Sequence, residues 1–432
     1  MRLLHGPTVT IVTMVRMNRE VRVRDSMKGS AKSTARATAR GRRVGVPALF
    51  LALALVATAC GGDGGTTAEP DDTDEPTATA PAGETETSTD AVDTSDIEEL
   101  ELQMASFLSP GTAQGVAISW WIDELAARTD GKVTVETFWN AELLGAQEIK
   151  DGLRDGRVQL GNMTYAYTPS DFPLTQIVEV PFLGNNVPAQ ATALNQLYAN
   201  NEDFRNEWEN QGIKVMSFVG IPAALTGAKE PVTTVDWYRG KTVRASGFFV
   251  KALEAVGSNA AAIPVTDVYE AMQRGTIDAY GGLILDVITP LSLHEVGPHV
   301  HDAGLGHYAN STWTMALDTW DSLSPGLQSI IEDLNAEFPA VLTDAYSETE
   351  DAACTVILDS GGSVNIFSEE ETQKWADAIG DTPLQTWVDL ADGTGADGAT
   401  MYDEFKGYFD EAAGGEFADY ESGIARCVAQ QG

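Results

Sequence analysis

The run YRGKTVRASGFF, residues 238–249, places Arg244 inside an alternating segment. Val243 and Ala245 would face one side of a sheet there, with Thr242, Arg244 and Ser246 on the other. Arginine is almost never buried alone, because its charge needs a counterpart and its five N–H donors need acceptors. A planar guanidinium meets a carboxylate through two parallel hydrogen bonds. An acidic side chain of the chain itself, Asp236 or Asp278, is one candidate for that carboxylate. A second constellation lies downstream: His294, His299, His301 and His307 are four of the chain's five histidines and fall within fourteen residues. Neutral imidazoles at such spacing can ligate zinc, with His299 and His301 on one face of a strand. That alternative points to a metal-binding lipoprotein or a zinc-dependent hydrolase. No HExxH pair, G-x-S-x-G elbow or phosphate loop accompanies the histidines, and the glycines of GGDGG (61–65) have no helix after them to cradle a phosphate.

The start of the chain bears on where this chemistry operates. Behind an arginine-rich leader, VGVPALFLALALVATA (44–59) is a short apolar run ending at Cys60. A membrane span needs ~20 apolar residues, so the run reads as a secretory signal covering residues 1–59, with Met27 a candidate start. Val56-Ala57-Thr58-Ala59-Cys60 resembles a bacterial lipobox, in which the cysteine is lipidated and becomes the mature N-terminus. Arg42-Arg43 hints at twin-arginine export. Residues 61–96 carry eleven Asp and Glu and no Lys or Arg, a composition that cannot offset chain entropy, so 60–96 reads as a disordered acidic tether. The expected location is extracytoplasmic, with membrane contact only through the lipid anchor.

From residue 97 onward the chain has sixteen Lys and Arg against fifty-one Asp and Glu. Such a surface repels nucleic acid and excludes it as a partner. With Cys60 lipidated, Cys354 and Cys427 remain, and an oxidising compartment favours a disulfide between them.

Strand and helix signals alternate along the body. Leu100, Leu102 and Met104 have a strand period; Ile118, Trp121, Ile122 and Leu125 share a helix face stopped by Gly131. Val133, Val135 and Thr137 form a second strand, Ile149 and Leu153 lie on a helix ended by Gly156, and VQLGNMT (158–164) is a third strand. After Arg244, Phe249, Leu253 and Val256 make a helical stripe, AAAIPV (260–265) is extended, and Asp267 with Glu270 reads as a capping box before TIDAY (276–280). Ser324-Pro325 opens a long helix with Leu327, Ile330, Ile331 and Leu334 inward, which Pro339 should bend. The alternation defines an α/β protein with mainly parallel sheets flanked by helices.

Four blocks now carry a specific resemblance: NAELLGAQEIKDGLRDGRVQLGNMT (140–164), VPFLGNN (180–186), EPVTTVDWYRGKTVRAS (230–246) and IPVTDVYEAMQRGTIDAY (263–280). In this order they resemble the solute-binding subunits of tripartite ATP-independent periplasmic (TRAP) transporters, the DctP family, over about residues 98–380. The resemblance implies a two-lobed periplasmic-binding-protein-like fold with a hinge between lobes and a long bent helix. We expect residues 97–222 and 310–350 in lobe I, and 223–309 and 351–432 in lobe II. It also implies a monomer with no enzymatic activity and no cofactor, which hands a small organic acid to TRAP permease membrane subunits. In the family, the arginine of the lysine-x-arginine strand pairs with the substrate carboxylate, and here that residue is Arg244.

Tyr165, Tyr167, Phe248, Tyr280 and Trp313 fall near the ends of expected strands, where an interlobe cleft would be lined. The resemblance adds weight to the tyrosines of MTYAYTPSD and to Trp313. Many relatives have a second arginine about twenty residues upstream and an asparagine after the later strand; this chain has Ala223 and Ala224, and Gly281 and Gly282, at those places. One guanidinium among apolar walls implies a small monocarboxylate, since a second buried charge would go unpaired. Asp286 and Asn310 are polar residues of the region with no contact assigned to them.

Overall fold

The computed structural model describes residues 96–247, 249–307 and 310–431. The leader, Cys60, nearly all of the tether and Phe248 lie outside the described residues. In chain order the strands are β1 (Leu100–Ser106), β2 (Val133–Phe138), β3 (Leu160–Met163), β4 (Ile213–Gly220) and β5 (Leu225–Ala228). They continue as β6 (Thr242–Ala245), β7 (Asn259–Ala262), β8 (Ala279–Leu283), β9 (His299–Asp302), β10 (Asn310–Ala316) and β11 (Ser363–Ile366). One sheet has the order β2-β1-β3-β10-β4 and the other β11-β9-β5-β8-β6-β7. Within the first, only β10 is antiparallel to its neighbours; within the second, only β5 is. The α/β architecture and mainly parallel sheets expected from the alternation are therefore present, on two lobes.

The two reversed strands are those the chain enters when it changes sheet. Residues 221–224 lead from β4 to β5, and residues 303–309 lead from β9 back to β10. The helix Pro325–Asp359 makes the third crossing. Ser324 caps it by accepting from Leu327 N, and Pro325 stands in the first turn, where its missing N–H costs nothing. Pro339 lies inside this helix and cannot donate to the preceding turn. Leu327, Ile330, Ile331 and Leu334 pack with Trp121 and Trp313 against the first sheet, whereas Ala353, Cys354 and Ile357 pack with Val300 and Ile424 against the second. Cys354 and Cys427 form a disulfide, with their Cα atoms 5.6 Å apart.

Two expectations need correction. The last part of the chain does not stay with lobe II. Trp375 on the helix Glu369–Ile379 donates to the Ala252 carbonyl of that lobe, but the helices Thr382–Asp392 and Gly398–Gly414 return to lobe I. There Trp387, Met401, Phe405 and Phe409 join the core around Leu194 and Phe218, and the Trp387 indole donates to the Leu174 carbonyl at 3.2 Å. Burial of these large apolar side chains outweighs chain continuity. The Asp267–Glu270 capping box also does not form: Asp267 ends a 3-10 turn with helical backbone and makes no side-chain cap, while Glu270 pairs with Arg274. Among the described residues no helix is long and apolar enough to cross a membrane.

Candidate functional site

Arg244 sits at the centre of β6, between β7 and β8, opposite Ala261 and Tyr280. Its residue is only 2% exposed. Nε donates to the Ile263 carbonyl at 3.0 Å, and NH1 donates to the carbonyls of Gly281 and Gly282 at 3.2 and 3.3 Å. Gly281 is required here, because a Cβ would lie 2.7 Å from the Phe249 ring and 3.0 Å from the Arg244 carbonyl oxygen. Among the described residues no Asp or Glu pairs with this guanidinium. The two acids considered for it are engaged elsewhere: Asp236 pairs with Arg239, and Asp278 accepts from the Thr242 N–H at 2.7 Å. Neutral carbonyls hold the group in place without cancelling its charge.

Arg244 borders a cleft between the lobes. Lobe I contributes Phe107, Leu108, Thr112, Gln114, Thr164, Ala166 and Tyr167 to its walls, and the crossing contributes Ile221. Lobe II supplies Arg244, Ser246, Val265, Leu283, Ile284, Asp286 and Val287. Most of this wall is apolar or aromatic. Tyr167 stands edge-on to Phe107, with ring centroids 5.6 Å apart. Burial pushes its phenol up, and the nearby Arg244 charge pulls it back. Ser246, one residue past the end of β6, shares the cleft with Arg244 as the alternation of the segment predicts.

Tyr165, Tyr280 and Trp313 do not line this cleft. Tyr165 is fully buried in the lobe I core and donates to Glu179 Oε1 at 2.8 Å. Tyr280 is buried in lobe II, with its hydroxyl on the Gly297 carbonyl at 2.8 Å. Trp313 packs edge-on against Trp121 at 5.3 Å, beneath the helix Ala113–Arg128. Phe248 lies outside the described residues.

The cleft also contains polar residues to which the sequence gave no role. Gln114 Oε1 accepts from Asn162 Nδ2 at 3.0 Å, and its Nε2 donates to the Tyr346 hydroxyl at 3.3 Å, so its amide is fixed. Asp286, 3% exposed, accepts through Oδ2 from the Ala113 N–H at 3.1 Å, while its Oδ1 is buried with no partner among the described residues. Burial raises the Asp286 carboxyl to about 6, with the Ala113 N–H acting in the opposite direction.

The histidine cluster is dispersed rather than convergent, which corrects the zinc alternative. His301 meets the Tyr238 hydroxyl at 2.7 Å and stacks on Phe367, while His299 Nδ1 meets Ser363 Oγ at 2.9 Å. His307 Nδ1 bonds the Ile221 carbonyl in the crossing. Among the described residues no three His, Cys, Asp or Glu side chains are grouped so as to hold a metal ion.

Two lobes, two strand crossings and a cleft with one charge-bearing anchor define a solute-binding protein of the two-lobed class. Residues 104–383 match the family of bacterial extracellular solute-binding proteins, family 7 (DctP), and the chain belongs to that family. This family is the substrate-binding component of transporters and not an enzyme family. The chain is 23% identical over 306 residues to the 2,3-diketo-L-gulonate-binding periplasmic protein YiaO of Escherichia coli, covering 69% of this chain and 90% of that one. It is 23% identical over 281 residues to the C4-dicarboxylate-binding periplasmic protein DctP of Vibrio cholerae, covering 62% and 80%. Among solved structures, a TRAP solute-binding protein from an unidentified marine microbe, specific for aromatic acids and bound to metahydroxyphenylacetate, superposes with a TM-score of 0.67. That pair is 22% identical and covers 72% of this chain and 99% of the other.

Proposed function

We propose that the protein captures a small monocarboxylate outside the cytoplasm through Arg244 and delivers it to the membrane subunits of a TRAP permease, held at the membrane by lipid on Cys60. The observation that carries this reading is the burial of Arg244 without a carboxylate partner among the described residues. A desolvated guanidinium held only by carbonyls gains most from an anion that uses its remaining donors. The relatives bind a sugar acid, a C4-dicarboxylate and an aromatic acid, so the walls of this cleft must decide the class. Ala223 and Ala224 are buried near the crossing, and Gly281 and Gly282 offer only backbone carbonyls, which Arg244 occupies. Among the described residues no second cation lines the cleft to neutralise a dicarboxylate.

A thermal-shift screen of organic acids on the purified full-length chain tests the reading. At a hundred times its dissociation constant a ligand adds ~2.7 kcal/mol and raises the melting temperature. Arg244→Ala abolishes this shift, and Arg244→Lys weakens it because a lysine lacks the fork. A largest response to succinate, or a response that survives in Arg244→Ala, contradicts the proposal.

A further inference from the structure

Asp286 combines three features that no packing role explains. It lines the same cleft as Arg244, it is 3% exposed, and its Oδ1 has no hydrogen-bond partner among the described residues. A buried carboxylate oxygen without a donor is costly, so such an atom marks a place where a donor belongs. Two donors of the cleft walls are committed elsewhere: Gln114 Nε2 to the Tyr346 hydroxyl, and Thr112 Oγ1 to the Ser109 carbonyl at 2.9 Å. Among the described residues no ion pair supplies Asp286 with a counter-charge. From the helix Pro325–Asp359, the groups acting on one another with Asp286 are Tyr346 and Glu350, and the nearby cation Arg426 pairs with Glu350 and Asp351 instead.

Arg244 and Asp286 are also placed by one continuous piece of chain. The carbonyls of Gly281 and Gly282 on β8 hold the guanidinium, and Asp286 follows on the short helix Leu285–Ile288. A positive group held by the end of β8 and a negative group just beyond that end keep a fixed separation, which suits a ligand with opposite features at its two ends. The second carboxylate oxygen is tied to Ala113 in lobe I, so a ligand group bound at Oδ1 also bears on a bond between the lobes.

We infer that Asp286 is a specificity-determining residue that selects monocarboxylates bearing a hydrogen-bond donor, an ammonium or a hydroxyl, at a distance from the carboxylate. The inference rests on the proposed capture of a carboxylate by Arg244. The ammonium is favoured over the hydroxyl, because it also neutralises a buried charge that the protein leaves uncompensated.

Calorimetric titration of the purified full-length chain at neutral pH tests it, with butanoate, pentanoate and hexanoate and their ω-hydroxy and ω-amino counterparts as probes. At the best-fitting length, the amino acid binds at least tenfold more tightly than the plain acid, and the hydroxy acid lies between. In Asp286→Ala these ratios fall to about one. Asp286→Asn, which keeps an acceptor for the Ala113 N–H and so guards against a folding defect, loses the preference for the amino acid and keeps that for the hydroxy acid. Plain acids that bind in an Arg244-dependent manner as tightly as the donor-bearing ones overturn this inference alone. Ratios that survive in Asp286→Ala overturn it as well. If no acid of the series binds, the carboxylate reading fails and this inference fails with it.

Discussion

Ala224 donates its N–H to the Gly306 carbonyl at 3.0 Å, which joins the two strand crossings to each other between the lobes. His307 adds a second link through the Ile221 carbonyl. Any closure of the lobes must therefore turn about a bonded pair of segments, with the long helix as the third connection. Gly306 is held at φ 83°, and a Cβ there would lie 2.6 Å from the Gly184 carbonyl oxygen. A left-handed non-glycine residue costs ~1–2 kcal/mol before any clash. We expect Gly306→Ala to lower the melting temperature by several degrees. Small-angle scattering should show compaction on ligand binding in the parent and less in the variant. Equal melting temperatures and equal compaction would contradict a strained crossing at this glycine.

Parts of this arrangement could be read from the residues because they depend on local period. Alternation through β6 and past its end placed Arg244 and Ser246 on one face, and both border the cleft. Position past a strand end could not separate Tyr165 from Tyr167, because the chain there winds into a 3-10 turn that sends the two rings different ways. Tyr167 reaches Phe107 and the cleft, whereas Tyr165 turns to Glu179 in the core. Gln114 gave no signal, and Asp286 stood out only as a polar residue whose contact could not be placed, since the bond from Ala113 to Asp286 spans 173 positions and arises only when the lobes meet. The return of Trp387 and Phe405 to lobe I is likewise a matter of tertiary packing. The histidines misled by proximity in sequence: His299, His301 and His307 each found a separate partner.

The Cys354–Cys427 bridge fastens the final helix, Gly423–Gln430, to the lobe II end of the long helix. Closing a loop of this length restricts the unfolded chain by ~4 kcal/mol in the entropy model. Reduction should lower the melting temperature markedly, and Cys354→Ser should reproduce the loss. Two thiols that react with a maleimide in the denatured, unreduced protein would show that the bridge is not formed.

Cys60 lies outside the described residues, and its lipidation is proposed from the lipobox resemblance alone. Each buried methylene of an acyl chain contributes ~0.8 kcal/mol, so two or more chains anchor stably. Cys60→Ala should move the protein from the membrane to the soluble fraction. Membrane retention of that variant would refute the anchor.

His301 gives stability a pH dependence whose sign can be worked out. Tyr238 donates its only proton to Thr226 Oγ1 at 2.9 Å, so its oxygen is left to accept from His301 Nε2. This makes the ring the neutral Nε2–H tautomer, in keeping with a buried Nδ1 that has no partner among the described residues. Burial lowers the imidazole to about 3, whereas an unfolded histidine titrates near 6.5. Between these values the unfolded chain binds a proton that the folded one does not, so this residue's contribution to stability is full above pH ~6.5 and declines as pH falls. The decline approaches ~1.4 kcal/mol per pH unit. Replacing His301 with Gln, which cannot titrate, should therefore cost most at pH 7.5 and progressively less towards pH 4.5, measured as the difference in unfolding free energy from the parent. A difference that stays constant across this range, or grows as pH falls, would show that His301 is not held neutral in the fold.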